Sequence, residues 1–206
     1  MTKLELYNLA LSLLDLEISS LDENTKERRL LDLNYDKVVQ LVLKAWDFPF
    51  LIKKYEFSED DMTDEVYKYQ FGYNLPSDFG YALQINGSKD YPYSIRFGLL
   101  WTNLADPVLE YMPNELEMSN GQYTAPSDFL SLVAYQLALH VAPMLDPESQ
   151  AMGNAAQLYQ LTLQSMIENE TRSNDRPLRY ESAELFGEPS LFDLLEYRRM
   201  LFEEQR

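Results

Sequence analysis

Between Thr25 and Phe50 the chain reads TKERRLLDLNYDKVVQLVLKAWDFPF, its longest unbroken helical pattern, and whatever lies on either side must pack on that rod or hang from it. Leu31, Tyr35, Val38, Val42 and Ala45 recur at the three-and-four spacing of one buried helix face, and Leu30, Leu41 and Trp46 widen the stripe. Asn24 is placed to cap the first turn, with Glu27 three residues on as the returning acid of a capping box. Pro49 forbids continuation. The pattern predicts a helix on the order of 35 Å long, enough to span a small domain.

Upstream, Thr2 to about Leu16 predicts a first helix, with Thr2 and Glu5 as a capping box and Leu4, Tyr7, Leu11 and Leu14 on one face. A second apolar row, Leu6, Ala10 and Leu13, implies burial on two sides. The short link Glu17 to Asn24 predicts that the two helices lie as antiparallel neighbours.

From Phe50 to about Tyr123 the period changes from helical to alternating and aromatic residues crowd in. Val66 to Tyr73, Tyr81 to Ile85, Ser94 to Phe97, Leu99 to Thr102 and Val108 to Met112 are the expected strands of one small antiparallel sheet, and Asn86-Gly87 is a strong hairpin signal. The acidic run Ser58 to Glu65 lacks the glycine and ligand spacing of a calcium loop, which favours a solvated hairpin tip. Helical period resumes after Pro126, where Phe129, Leu132, Val133, Gln136, Leu137 and His140 share a face and Ala134, Ala138 and Ala142 admit a close neighbour. Pro143 is expected to end that helix. Asp146-Pro147-Glu148 is expected to open a fourth, through about Thr171, with Met152, Ala155, Ala156, Tyr159, Leu163 and Met166 on its stripe. Beyond Ser173 the breakers Asn174, Pro177, Gly187 and Pro189 predict an extended arm, closed by an amphipathic helix from Ser190.

A length of 206 residues suits one domain with an appendage. No apolar run approaches the roughly twenty residues of a membrane span, and the opening residues predict a helix rather than a signal peptide. The absence of cysteine excludes a disulfide framework and thiolate chemistry. A net charge of −17 opposes binding to nucleic-acid phosphates and suits either indifference to DNA or a wall that DNA slides past.

The chemistry-bearing patterns are sparse. His140, the single histidine, falls inside an apolar helix face, the place of a core or interface residue. There is no nucleophile elbow, phosphate-cradling loop or zinc-spaced pair, so no catalytic, cofactor or metal residues are expected. The pairs Asp60 with Glu65 and Glu115 with Glu117 could serve two-carboxylate hydrolysis of a glycan, although 34 acids produce such pairs by chance. Trp46 and Phe48 are read as a hinge between helices and sheet rather than as ligand contacts.

Four stretches carry a likeness: LKAWDFPFLIKKYEF, LPSDFGYALQI, LLWTNLADPVLEYM and YTAPSDFLSLVAYQLALHVAPML. In order they resemble the Trp-x-Phe helix end, the Leu-Pro-x-Asp step into a strand, the paired short strands and the alanine-spaced third helix of the head-to-tail adaptor, or tail tubular ring, proteins of short-tailed T7-like and P22-like bacteriophages. The likeness spans roughly residues 4 to 172 and does not reach the arm; the loop and strand from Ser58 to Tyr73 are longer than the family pattern.

The expected fold is mainly α: an antiparallel four-helix bundle from hairpins 1–49 and 124–172, a small sheet inserted at 50–123, and an arm at 173–206. The resemblance implies a non-enzymatic virion subunit of the tail or neck, assembled in the host bacterial cytoplasm. It implies a ring, usually of twelve, between portal and a tail or nozzle protein, through which DNA passes without specific binding. Neither membrane nor cofactor is expected. Leu185, Phe186, Leu191, Leu194, Leu195 and Leu201 on the arm are the expected docking residues. Repulsion between copies at −17 each leads to the expectation that salt or the portal assists closure. The alternatives are a tail-associated glycan hydrolase and a helical scaffold that binds a partner through the arm.

Overall fold

The computed structural model describes residues 1–58, 62–63, 68–147 and 150–173. The chain divides into two compact units, Met1–Gln164 and Ser165–Arg206. Only the end of the last helix is described in the second, and the six expected arm residues lie outside the described residues.

Helix α1 (Lys3–Ser12) opens with the expected capping box: Glu5 N–H donates to Thr2 Oγ1 at 3.2 Å, and Thr2 N–H to Glu5 Oε2 at 2.7 Å. It stops short of Leu16 because Asp15 turns into the left-handed region at φ 56°, and Leu16 N–H and Asp15 N–H return to the carbonyls of Leu11 and Ser12 in a Schellman closure. Helix α2 (Lys26–Ala45) is capped by Thr25, not Asn24, with Arg28 N–H donating to Thr25 Oγ1 at 3.3 Å. Since the third helical position is then Arg28, Glu27 cannot complete a box. The buried face holds Leu31, Val38 and Val42 as expected, but Val39 and Leu43 complete it, while Leu41, Ala45 and Trp46 are exposed. The stripe is rotated towards α3 relative to the periodicity reading.

Helix α3 (Ser127–Leu145) is the centre of the helical layer, packed against both α1 and α2. Its alanines 134, 138 and 142 are all buried, the close approach that their spacing predicts. Lys26 Nζ reaches the Met144 carbonyl at 2.8 Å, while Phe48, just past the other end of α2, stacks edge-on against Phe129, so α2 and α3 run antiparallel. Pro143 sits inside the last turn instead of ending the helix, and Asp146 N–H closes that turn on Ala142 O at 2.9 Å. Asp146 thus finishes α3; α4 (Ala151–Ser173) starts later, and Met152 on it is exposed. By length and composition α3 is a described helix apolar enough to cross a membrane, contrary to the sequence expectation, and half of that window is buried inside the protein.

The region between α2 and α3 departs most from expectation. After a 3₁₀ turn (Pro49–Leu51) come β1 (Lys53–Glu56), β2 (Phe71–Asn74), β3 (Phe79–Ile85), β4 (Tyr93–Arg96), β5 (Leu99–Thr102), β6 (Val108–Pro113), β7 (Met118–Ser119) and β8 (Gln122–Tyr123). They form three antiparallel sheets rather than one: β1-β6-β3, β2-β5-β4 and the β7-β8 hairpin. Ile85, Leu109 and Tyr111 of the first sheet share one core with Tyr73 and Leu100 of the second and with Phe57. The two three-stranded sheets therefore face each other as a small sandwich with its own interior. This overturns the expected four-helix bundle with a single small sheet: the strand layer is a structural body in its own right, and the helical layer is organised around α3.

Two strand readings also change. β2 begins at Phe71 with Lys68 to Gln70 in a bend, so of the described part of the run read from Val66 to Tyr73 only Phe71 to Tyr73 is strand; Val66 and Tyr67 lie outside the described residues. Phe97, read as a strand end, is a turn residue. The Asn86-Gly87 turn forms as expected, both residues at positive φ between Ile85 and Ser88.

Candidate functional site

The helical layer meets the sandwich along one seam, and three open clefts lie there. One of about 450 Å³ is walled by Phe50, Ile52, Pro113 and Pro126 and rimmed by Lys53, Glu115 and Glu117. A second, about 370 Å³, shares Glu115 and runs past Lys3, Tyr35 and Tyr123; a third, about 240 Å³, shares Pro113 and is bounded by Leu43, Gly80 and Tyr81. The segment Pro113 to Glu115, where β6 leaves its sheet, is common ground to all three.

A polar cluster lies on the sandwich side of this seam. Lys53 at the start of β1 donates to Asp78 Oδ2 at 2.5 Å and to Glu117, while Tyr111 OH donates to Asp78 Oδ1 at 2.8 Å. Burial alone would push the Asp78 carboxyl up, but the bonds from Lys53 and Tyr111 hold it below the usual carboxylate range. Its bonds to Asp78 and Glu117 overcome the opposing effect of burial on Lys53 and raise its ammonium. Tyr81 OH ties β3 to the end of α2 by donating to the Leu43 carbonyl at 3.1 Å and to Asp47 Oδ1 at 3.0 Å.

On the other side of the seam Tyr35 OH donates to Tyr123 OH at 2.6 Å, Tyr7 OH donates to Asp32 Oδ1 at 2.8 Å, and Lys3 lies over both the Tyr35 and Tyr7 rings. Tyr123 N–H also donates to the Met1 carbonyl at 2.9 Å, so the hairpin β7-β8 fastens the start of the chain.

These phenols give the seam a defined alkaline limit. Burial first, then bonds to Asp32, Tyr123, Asp47 and Asp78 respectively, raise Tyr7, Tyr35, Tyr81 and Tyr111 above the ordinary value of 10.0, the last two to about 12. A phenol whose folded value is raised contributes stability that is complete below its unfolded value and is lost as pH rises through the folded one. The urea midpoint is therefore expected to be insensitive to these groups below about pH 10 and to fall steeply above it. Phenolate absorbance followed alongside circular dichroism checks this; phenols that all ionise near 10 with no loss of structure would contradict it.

The sequence-predicted residues distribute as follows. Phe48 is fully buried against Phe50 and Phe129, the hinge position expected of it, whereas its partner Trp46 is 40% exposed at the C-cap of α2. His140 is half-buried beside Gln136, and burial together with the nearby Lys37 charge lowers it. Of the acid pairs considered for hydrolysis, Glu117 is engaged by Lys53 and Glu115 is exposed on the cleft rim; Asp60 and Glu65 lie outside the described residues, as do Leu185, Phe186, Leu191, Leu194, Leu195 and Leu201. Among the described residues, no group of three or more acidic or histidine side chains could hold a metal ion.

Sequence reading missed Phe97, the most exposed of the large apolar side chains described, at 92%. Its signal was present: with one strand predicted to end at Phe97 and the next to begin at Leu99, only a two-residue turn on Phe97-Gly98 can join them. Leu33 on α2 is the next most exposed. No protein-family model and no curated protein matches the sequence.

Proposed function

We propose that the chain is a structural virion subunit, a head-to-tail adaptor of the kind found in short-tailed bacteriophages, joining portal to tail around a channel for DNA. The observation that carries this reading is the convergence of all four resembling stretches on the seam. The Trp-x-Phe helix end supplies Phe48 and Lys53, the Leu-Pro-x-Asp step supplies Asp78, the paired short strands supply Tyr111, and the lead-in to the third helix supplies Tyr123 and Phe129. Stretches recognised separately in sequence thus act on one another in space. The net charge of −17 suits a channel lining that repels packaged DNA, and the carboxylates of the largest seam cleft lie open to solvent or against lysine.

In this reading the arm beyond Ser173 grips the portal. Native mass spectrometry of the full chain mixed with a short-tailed phage portal is expected to give a ring-sized assembly. A chain truncated after Ser173 is expected to lose at least tenfold in portal affinity while keeping its helical circular dichroism. Binding undiminished by the truncation, or no assembly with any portal tried, would remove the reading.

A further inference from the structure

Asparagine followed by glycine is the dipeptide best placed to cyclise, because glycine has no Cβ to hinder attack by its nitrogen on the asparagine carboxamide. The chain carries two such pairs, Asn86-Gly87 and Asn120-Gly121, both exposed at the tips of tight turns. Each pair has both residues at positive φ, 48° and 73° in the first and 52° and 76° in the second, the primed geometry that favours Asn-Gly. As sequences the two are nearly equivalent. The fold separates them.

Asn86 is tied down. Its N–H donates to the Val108 carbonyl at 2.8 Å and its Oδ1 accepts from the Val108 N–H at 2.7 Å, so the carboxamide turns only if β6 lets go. Ile85 and Ser88 exchange two backbone bonds across the turn, at 3.0 and 2.9 Å, at the end of the seven-residue strand β3. Asn120 instead joins strands of two residues each, paired as Met118 with Tyr123 and Ser119 with Gln122 and prolonged by Thr124 N–H donating to the Glu117 carbonyl at 3.1 Å. Among the described residues none hydrogen-bonds its carboxamide. A short exposed hairpin opens locally at lower cost than a turn fastened to the central strand of a sheet.

We propose that Asn120 is a site of spontaneous covalent modification, deamidating to aspartate and isoaspartate while Asn86 stays intact. The Gly121 backbone nitrogen gives up its proton to water and attacks Asn120 Cγ; a C–N bond forms and the carboxamide nitrogen leaves as ammonia. Water then opens the five-membered imide at either carbonyl. Cleavage between that nitrogen and Cγ gives aspartate, whereas cleavage between the nitrogen and the Asn120 backbone carbonyl carbon leaves Gly121 joined through Cγ, as isoaspartate. One water is consumed, one ammonia is released, and no electrons are transferred.

Isoaspartate routes the main chain through the Asn120 Cβ, which adds one bond to a two-residue turn and takes Met118 and Tyr123 out of register. Tyr123 is where this hairpin holds its neighbours: its N–H donates to the Met1 carbonyl at 2.9 Å, and its OH accepts from Tyr35 OH at 2.6 Å. The product also adds a negative charge to a chain already at −17. Asn120 is therefore a clock whose expiry frees the start of α1 and one wall of the cleft lined by Lys3, Tyr35 and Tyr123.

The test ages the full chain in mildly alkaline buffer, folded and, in parallel, unfolded in urea, and follows its proteolytic peptides by mass spectrometry with fragmentation that distinguishes isoaspartate. Unfolded, the two sites are expected to deamidate at comparable rates; folded, Asn120 is expected to outpace Asn86 at least tenfold. A folded chain in which both age alike, Asn86 leads or neither changes overturns the proposal, and so does the same tenfold gap in urea, which would assign the difference to flanking sequence. Hydrogen exchange on the aged chain is expected to show lost protection at the Tyr123 amide. Asn120→Gly, which tolerates positive φ and cannot cyclise, should keep that protection through the same ageing, and fresh Asn120→Asp, which adds the charge without the extra bond, should keep it as well. Loss in all three, or in none, overturns the clock.

Discussion

Replacing Phe48 by alanine is expected to cost about 3–5 kcal/mol, a large part of the roughly 5–15 kcal/mol that holds a domain folded. The ring is fully buried, with centroids 4.9 Å from Phe129 in an edge-on contact and 5.6 Å from Phe50. Truncation removes the transfer energy of the ring, leaves a cavity where the link to β1 crosses the start of α3, and forfeits edge-to-face contacts worth about 0.5–1.5 kcal/mol beyond burial. Urea unfolding followed by circular dichroism measures it. Trp46→Ala is the comparison: although tryptophan is larger, at 40% exposure outside the core it should stay within about 1 kcal/mol. If the two variants lose equally, the aromatic clasp is not what holds the layers together.

The second large effect is expected at Gly80 on β3. A Cβ there would stand 2.7 Å from the Met112 carbonyl oxygen and 2.8 Å from that of Pro113. Those atoms belong to the backbone of the paired strand β6, so relief requires the ladder itself to part. Gly80→Ala should therefore reach the upper end of the overpacking range, about 3 kcal/mol. Proton exchange should show the β3-β6 amides losing protection first. Gly153 on α4 gives the opposite sign: nothing lies within 4 Å of its added Cβ, and alanine in a helix should stabilise by about 0.5–1 kcal/mol.

The contrast between these two glycines marks what local periodicity does not encode. Both sit in patterned elements, and only the registration of β3 against β6, with its irregularities between Phe79 and Tyr81 and between Ala82 and Gln84, decides that one is crowded. The helices were legible because their signals are local: Thr2 with Glu5 forms its box as spelled, and the alanine seam of α3 is buried as spaced. Where two residues could do the same job, sequence chose wrongly, as with Asn24 against Thr25. The division of the strands into two facing sheets was not legible, because short aromatic-rich strands alternate alike whichever sheet they join. That Tyr73 and Leu100 meet Leu109 and Tyr111 is a property of chain path, not of period.

The candidate site was hidden for the same reason. Lys53, Asp78 and Glu117 are far apart in the chain and typical of any charged surface, and only the fold makes them one cluster. Phe97 was hidden differently: a phenylalanine at the end of an alternating run reads as strand unless the turn that must follow is counted.

The strand layer leaves α2 at Phe48 and the chain re-enters the helices at Phe129, and these two rings touch. For the helices, the intervening sequence is therefore a closed loop whose ends are already together, and each doubling of such a loop costs only about 0.6 kcal/mol. Over evolutionary time the sheets can be lengthened, trimmed or exchanged for another module at this point, provided the seam bonds of Tyr81 and Tyr123 to α2 and its C-terminal end are kept or replaced. Homologues of this chain would then be most alike in the helices and the clasp and most varied in what hangs between them.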